Sequence, residues 1–259
     1  MDPVLVQFGP LVIRWYGVMM ALTILTALWT ATRLGPRLGL DRAQVDALAI
    51  PMILLAFAGA RAGYVISHPA EFADPLEILR VDHGGFTSHG AIAGGLLALW
   101  WTARRTGMRF WDAADATVWV IPIGNVFVRF GNFMNGELYG DRTALPWAVT
   151  FPGVSGARHP LQLYEIVFAL LILAVSLPRV TRRAFSGQLF WLVVVLTSLG
   201  RIGLDLLRSE DRVWGVVTLG QIPAAVLVVL GSWFLAGRSR SAGRSPVSGG
   251  PAPPAGRTP

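Results

Sequence analysis

Seven apolar stretches alternate with short polar connections along the chain. Each has, or approaches, the ~20 residues that a helix needs to cross a bilayer. They run roughly over Leu11–Thr32, Val45–Ser67, Phe86–Ala103, Ala113–Phe130, Gln162–Leu177, Gly187–Leu207 and Val216–Leu235. The third, fourth and fifth are short or interrupted. Length, more than periodicity, predicts these helices, because a membrane helix is apolar on its buried and its lipid-facing sides alike. The expected fold is all-α and polytopic, with about seven transmembrane helices.

Arginines mark alternate connections. Arg33, Arg37 and Arg42 follow the first stretch, Arg104, Arg105 and Arg109 the third, Arg179, Arg182 and Arg183 the fifth, and Arg238, Arg240 and Arg244 the seventh. The intervening loops carry acid instead: Glu71, Asp74 and Glu77 in one, Glu210 and Asp211 in another. Positive loops stay inside, so the N-terminus is expected outside and the C-terminus inside. Residues 1–237 form the expected membrane domain. The Pro- and Gly-rich loop of about 131–160 forms a small external cap, and the low-complexity segment 238–259 a disordered cytoplasmic tail. The opening MDPVLVQFGP lacks a basic region ahead of its apolar stretch, so the first helix is expected to be retained rather than cleaved as a signal.

Composition sharpens this picture. Of 259 residues, 53% are hydrophobic and only 14% charged, well below the usual quarter of a soluble domain. The net charge is +7, and every basic residue is Arg. The loop pattern explains that charge as topology, so no nucleic-acid partner is invoked. There is no cysteine, which excludes disulfides and any covalent intermediate on a thiol of this chain. No His/Asp/Glu group has metal-ligand spacing, and no phosphate loop, dinucleotide fingerprint or nucleophile elbow occurs. Neither metal nor cofactor is expected.

The polar residues inside the stretches gather at one depth. Tyr16, Arg61, His89, Arg129 and Arg201 all fall toward the outer ends of their helices. Charge in a bilayer is costly and faces a bundle interior or a wet cavity. Singly, Arg61 could be a snorkelling anchor, Tyr16 an interfacial aromatic and His89 a packed hydrogen-bonding group. Arg129 resists such a reading, since RFGNFMNGELYG supplies Asn132, Asn135 and Glu137 within a few residues. In RIGLDLLR, Arg201, Asp205 and Arg208 share one helical stripe, where Asp205 can pair with either arginine. Glu165, in HPLQLYE, suits a structural place near a helix N-terminus. Asp115 lies fourteen residues before Arg129, roughly 21 Å at ~1.5 Å per residue, too far to share its site. With Arg61, Arg129 and Arg201 outnumbering nearby acids, the site is expected to be electropositive, with an anionic headgroup as its ligand.

RWYG, GGFTSHG, RFGNFMNGELYG, HPLQLYE and GRIGLDLLR, in that order along residues 14–208, together resemble the bacterial prolipoprotein diacylglyceryl transferases. The resemblance covers the chain from about Gly9 to the seventh helix. It implies transfer of diacylglyceryl from phosphatidylglycerol to the lipobox cysteine of a preprolipoprotein, giving a thioether and glycerol phosphate. It also implies roles: His89, Arg201 and Tyr16 in catalysis, and Arg129 with Asn132, Glu137 and Gly140 at the lipid. Arg61 joins the substrate site on the residue reading alone. Departures from the family pattern are Val128 before Arg129, Ala91 after His89, Asp205 in place of Glu, and Asp82-His83 before Gly84-Gly85. The competing readings are an anion or lipid transporter and a non-catalytic lipid-binding paralogue. A transporter needs polarity continuing to the inner side, where the stretches are apolar apart from Asp115 and Asn125.

Overall fold

The computed structural model describes residues 1–9, 11–72, 74–80, 85–208, 212–214 and 217–242. A hairpin of β1 (Val4–Phe8) and β2 (Leu11–Arg14) leads into α1 (Trp15–Leu34). Then come α2 (Arg42–Ser67), α3 (Ser88–Thr106), α4 (Phe110–Thr117), α5 (Val120–Asn135), α6 (Leu161–Ser176) and α7 (Gln188–Leu204). A second short hairpin, β3 (Arg212–Trp214) with β4 (Val217–Thr218), precedes α8 (Gln221–Ala242). The chain is a helical, multi-pass membrane protein. Six helical segments are long and apolar enough to cross a bilayer. The seventh expected span is α3, whose polar start and paired arginines keep it outside that count.

Several boundaries differ from expectation for physical reasons. The first helix starts at Trp15, because Leu11–Arg14 pairs with Val4–Phe8 as a strand. The fourth stretch is divided at Val118–Trp119 between α4 and α5. Pro122 lacks an N–H and crowds the carbonyl four residues back, which is that of Val118. α5 runs on to Asn135, so the cap begins at Gly136, whose φ of 73° terminates the helix as a left-handed glycine does. Short bridges joining Arg142 and Val149 to Arg158 hold the cap together. α8 continues to Ala242, beyond the expected end of the membrane domain. The rest of the tail, and Asp82 and His83, lie outside the described residues.

Packing is uneven along the bundle. α2 and α3 associate over their length through small residues. A Cβ on Gly90 or Gly94 would run into the backbone carbonyl of Gly59 or Leu55, so these helices touch backbone to backbone. α5 packs on α1 and α6, α6 on α7, and α7 on α8. The main hydrophobic core lies toward the arginine-loop end, where Leu38, Val45, Leu99, Ala113, Trp119, Ile172 and Leu189 meet. Outward faces are strongly apolar: Ile50, Ile66, Val229 and Trp233 are each at least two-thirds exposed. So continuous an apolar exterior suits lipid rather than water.

Candidate functional site

The polar end of the bundle is built around Glu165, near the start of α6. Its Oε2 pairs with Arg129 Nε from α5, and its Oε1 accepts from Arg208 Nη2 at 3.2 Å. One buried carboxylate thus braces two guanidiniums. Arg129 is steadied further by Asn125 Oδ1 at 3.3 Å and Asn132 Oδ1 at 3.4 Å, one helical turn to either side. Asn132 passes the chain of bonds onward, donating to Glu137 Oε1 at 2.8 Å, and Asn135 donates to the same oxygen at 3.1 Å. The motif around Arg129 is therefore one network, which is why its polar residues recur at helical spacing and then turn back at Gly136. Gln162 donates to the Glu137 carbonyl and ties α6 to that turn.

Arg201 lies near the end of α7. Its Nε donates to Asp205 Oδ2 at 2.7 Å, and Asp205, itself buried, also accepts from Thr218 Oγ1 at 2.8 Å. Asp205 therefore takes Arg201, while Arg208 goes to Glu165. The two arginines of the stripe separate because the helix tightens into a 3₁₀ turn at Asp205–Leu207. Gly220 makes room for the Arg201 guanidinium: a Cβ there would sit 2.7 Å from Nη2. The charges of Arg201 and Arg208 both act on Arg129. Both Arg129 and Arg201 are anchored to their carboxylates through Nε. Arg129 Nη2 and both terminal nitrogens of Arg201 have no hydrogen-bond partner among the described residues.

Tyr16 reaches the same place from α1. It packs on Gly131, where a Cβ would lie 3.4 Å from its Cα and ring, and it feels the charges of Glu137 and Arg129. Gly140 lies just beyond, its N–H bonded to the His159 carbonyl at 2.9 Å; a side chain there would press on His159 and Leu161. A cavity of about 370 Å³ adjoins the network, lined in part by Glu137, Leu138, Tyr139, Pro152, Val154 and Arg208. Leu138 has a φ of 59°, an uncommon conformation for a branched side chain. Its carbonyl accepts from Arg208 Nη2 at 3.3 Å.

The other two candidates sit on the α2–α3 pair. Arg61 is not a free cation of the site. It is buried and donates to the carbonyls of Ile78, Glu77, Arg80 and Gly85 at 2.6–3.1 Å, with Phe72 and Phe86 against its faces. Its guanidinium organises the segment before α3, and the carbonyls of that segment, not a pocket beside Arg129, surround it. Without Arg61, three arginines face Glu165, Asp205 and the nearby Glu137, so the network is closer to charge balance than expected. His89 stands in the first turn of α3, after the Thr87 cap, with its side chain exposed and no hydrogen bond or ion pair to Arg129 or Arg201 among the described residues.

Sequence reasoning underrated Glu165 and Arg208. It missed Thr218 and Gly220, whose only local signal is the T-x-x-Q spacing that caps a helix; Thr218 N does bond Gln221 Oε1 at 3.1 Å. Asp115 was correctly excluded from this site. It lies at the opposite end, bound to Arg183 Nη1 at 2.8 Å.

Comparison with known proteins shows the family. Residues 3–236 match the prolipoprotein diacylglyceryl transferase family. The chain is 39% identical over 254 residues to the phosphatidylglycerol–prolipoprotein diacylglyceryl transferase of Solidesulfovibrio magneticus, covering 92% of this chain and 95% of that protein. It is 36% identical over 250 residues to the enzyme of that name from Symbiobacterium thermophilum, covering 90% and 93%. To that from Vibrio campbellii it is 36% identical over 247 residues, covering 89% and 88%. A match that runs from the first hairpin to the last helix, and takes in every residue of the arginine network, places the chain: it belongs to the prolipoprotein diacylglyceryl transferase family.

Proposed function

We propose that this protein transfers the diacylglyceryl group of phosphatidylglycerol to the lipobox cysteine thiol of preprolipoproteins, releasing glycerol phosphate, as the first step of bacterial lipoprotein maturation. It works as a multi-pass protein of the cytoplasmic (inner) membrane, N-terminus outside, with the arginine network at the outer leaflet. The carrying observation is the anchoring of Arg129 and Arg201 through Nε, which leaves Arg129 Nη2 and both Arg201 terminal nitrogens without a hydrogen-bond partner among the described residues. Such a guanidinium is oriented yet still able to bond phosphate oxygens.

In the reaction the cysteine sulfur forms a bond to the glyceryl carbon, and the bond from that carbon to the phosphate oxygen breaks. The electron pair leaves with glycerol phosphate. Terminal N–H groups of Arg129 and Arg201 stabilise charge growing on that leaving group. His89 takes the thiol proton, a role for which its exposed ring is accessible. The nucleophile belongs to the peptide, in keeping with a chain that has no cysteine. Arg61 contributes indirectly, by holding the segment that leads into the His89 turn.

The test is incubation of the purified protein with labelled phosphatidylglycerol and a lipobox peptide. Thioether product is expected; lipid movement without product would overturn the enzymatic reading. His89→Asn should lower transfer by ~10²–10⁴ while lipid binding survives. Raising the pH toward the thiol's ordinary value of about 8.5 should partly rescue it, since more substrate is already thiolate. A defect unchanged across that range would remove His89 as the base.

A further inference from the structure

At the arginine-loop end, four guanidiniums each lie over an aromatic ring. Arg33 covers Trp29 at 5.7 Å, Arg104 covers Trp100 at 5.3 Å, Arg105 covers Trp101 at 4.7 Å and Arg238 covers Phe234 at 5.6 Å. These pairs occupy the last turns of α1 and α3 and the later part of α8, and the three tryptophans are exposed. Aromatic bodies topped by cations collect at membrane–water interfaces. The pairs therefore mark the depth of lipid headgroups at this end.

A cavity of about 360 Å³ opens at the same depth, lined in part by Arg109, Phe110, Trp111, Phe185, Ser186 and Arg238. It lies between the start of α4, the segment before α7 and the later part of α8. Aromatic rings continue behind it: Trp111 meets Phe234 at 5.0 Å and Trp191 at 6.0 Å, and Phe185 meets Phe234 at 6.1 Å. Its charge is one-sided. Asp112, next to Trp111 in the chain, is bound to Arg183 at 2.8 Å and reaches Arg109 only at 3.8 Å. No carboxylate pairs with Arg238 among the described residues. The Arg109 side chain is 81% exposed.

We propose that this cavity binds an anionic phospholipid of the leaflet opposite the catalytic one, its phosphate between Arg109 and Arg238 and its chains along the aromatic wall. Two rim cations and no lining acid call for an anion, and the aromatic wall continuing into the lipid-facing surface of α8 calls for acyl chains. α8 packs chiefly on α7, so a lipid held here would tie its end to α4. The site is separate from the arginine network and does not depend on the transfer reaction.

The full-length protein in phosphatidylcholine nanodiscs would be titrated with phosphatidic acid, and bound lipids counted by native mass spectrometry. Phosphatidic acid can also enter the catalytic end, so the variant comparison carries the result. R109Q/R238Q should weaken one bound lipid by about fivefold for each arginine removed, with the transfer rate unchanged. R33Q/R104Q, which alters the interfacial pairs outside the cavity, should keep that lipid. Wild-type binding in R109Q/R238Q, or an equal loss in R33Q/R104Q, overturns the proposal. So does displacement of the lipid by glycerol phosphate at equal concentration, which would make the cavity a site for soluble phosphate. Should the double variant fold poorly, brominated phosphatidic acid provides the second measure. It should quench wild-type fluorescence more than brominated phosphatidylcholine, and W111F should reduce the difference; equal quenching by the two lipids in the wild type overturns the site.

Discussion

Asp115 and Glu165 are both buried carboxylates that hold arginine, at opposite ends of one bundle. Asp115 accepts from Arg183 Nη1 at 2.8 Å, from the Gly187 N–H at 2.9 Å and from the Phe190 N–H at 2.8 Å, using both oxygens. Arg183 in turn reaches Asp112 and the Leu38 carbonyl. That network joins α4 to the start of α7 within the main core, and its bonds are made entirely by the protein. Glu165 also spends both oxygens, on Arg129 and Arg208. Yet Arg129 keeps Nη2, and Arg201 both terminal nitrogens, without a hydrogen-bond partner among the described residues. A charge satisfied on all sides can only hold structure. One satisfied on its inner edge alone is oriented for something that arrives later.

The largest effect expected from this contrast is at the closed end. Asp115→Ala breaks the buried Arg183 pair and leaves the Gly187 and Phe190 N–H groups without their acceptor, and should cost about 3–5 kcal/mol, seen as a large drop in thermal stability in detergent. The molecules that remain folded should still transfer lipid at the normal rate. A loss of turnover with stability intact would erase the distinction between the ends. Arg129→Lys inverts the pattern. It keeps the charge but loses the planar fork, so turnover should fall ~10²–10³-fold while the melting temperature changes little. Near-normal turnover would place the phosphate elsewhere.

Two smaller effects sharpen the comparison. Gly94→Ala forces a methyl group into the Leu55 carbonyl and should cost about 1–3 kcal/mol as overpacking. Its activity defect should follow the loss of folded protein, because Gly94 lies in the α2–α3 contact and away from the arginine network. At the bottom of the scale, Arg42 and Asp46 are 3.8 Å apart and largely exposed. Arg42→Ala should change stability by ~0.5 kcal/mol or less, and a larger change in chemical-denaturant midpoint would show that exposed pairs also brace this end. Arg208→Ala should exceed both of these, because Arg208 is buried and shares Glu165 with Arg129, so its loss should disturb Arg129 as well.

Much of this was legible in the chain. The apolar stretches follow from length alone, because a bilayer demands about twenty residues whatever packs beside them. The motif from Arg129 to Glu137 was readable because its contacts are local: Asn132 and Glu137 lie within about two turns, so spacing predicts them, whereas Asn125, read as inner-side polarity, turns out to bond Arg129. Asp115 could be assigned to the other end from helical rise. Tertiary structure decided which long-range partner each charge chose. Glu165 and Arg208 are 43 residues apart in sequence, and nothing in RIGLDLLR says that Asp205 takes Arg201 while Arg208 crosses to α6. Arg61 shows the same limit. Its sequence setting matches that of an intramembrane cation, and only the folded segment supplies the carbonyls that claim it. Local periodicity determines where a polar group lies along its helix; its unpaired face is set by the neighbours that packing brings to it, because a guanidinium has several donors and uses whichever acceptors come within reach.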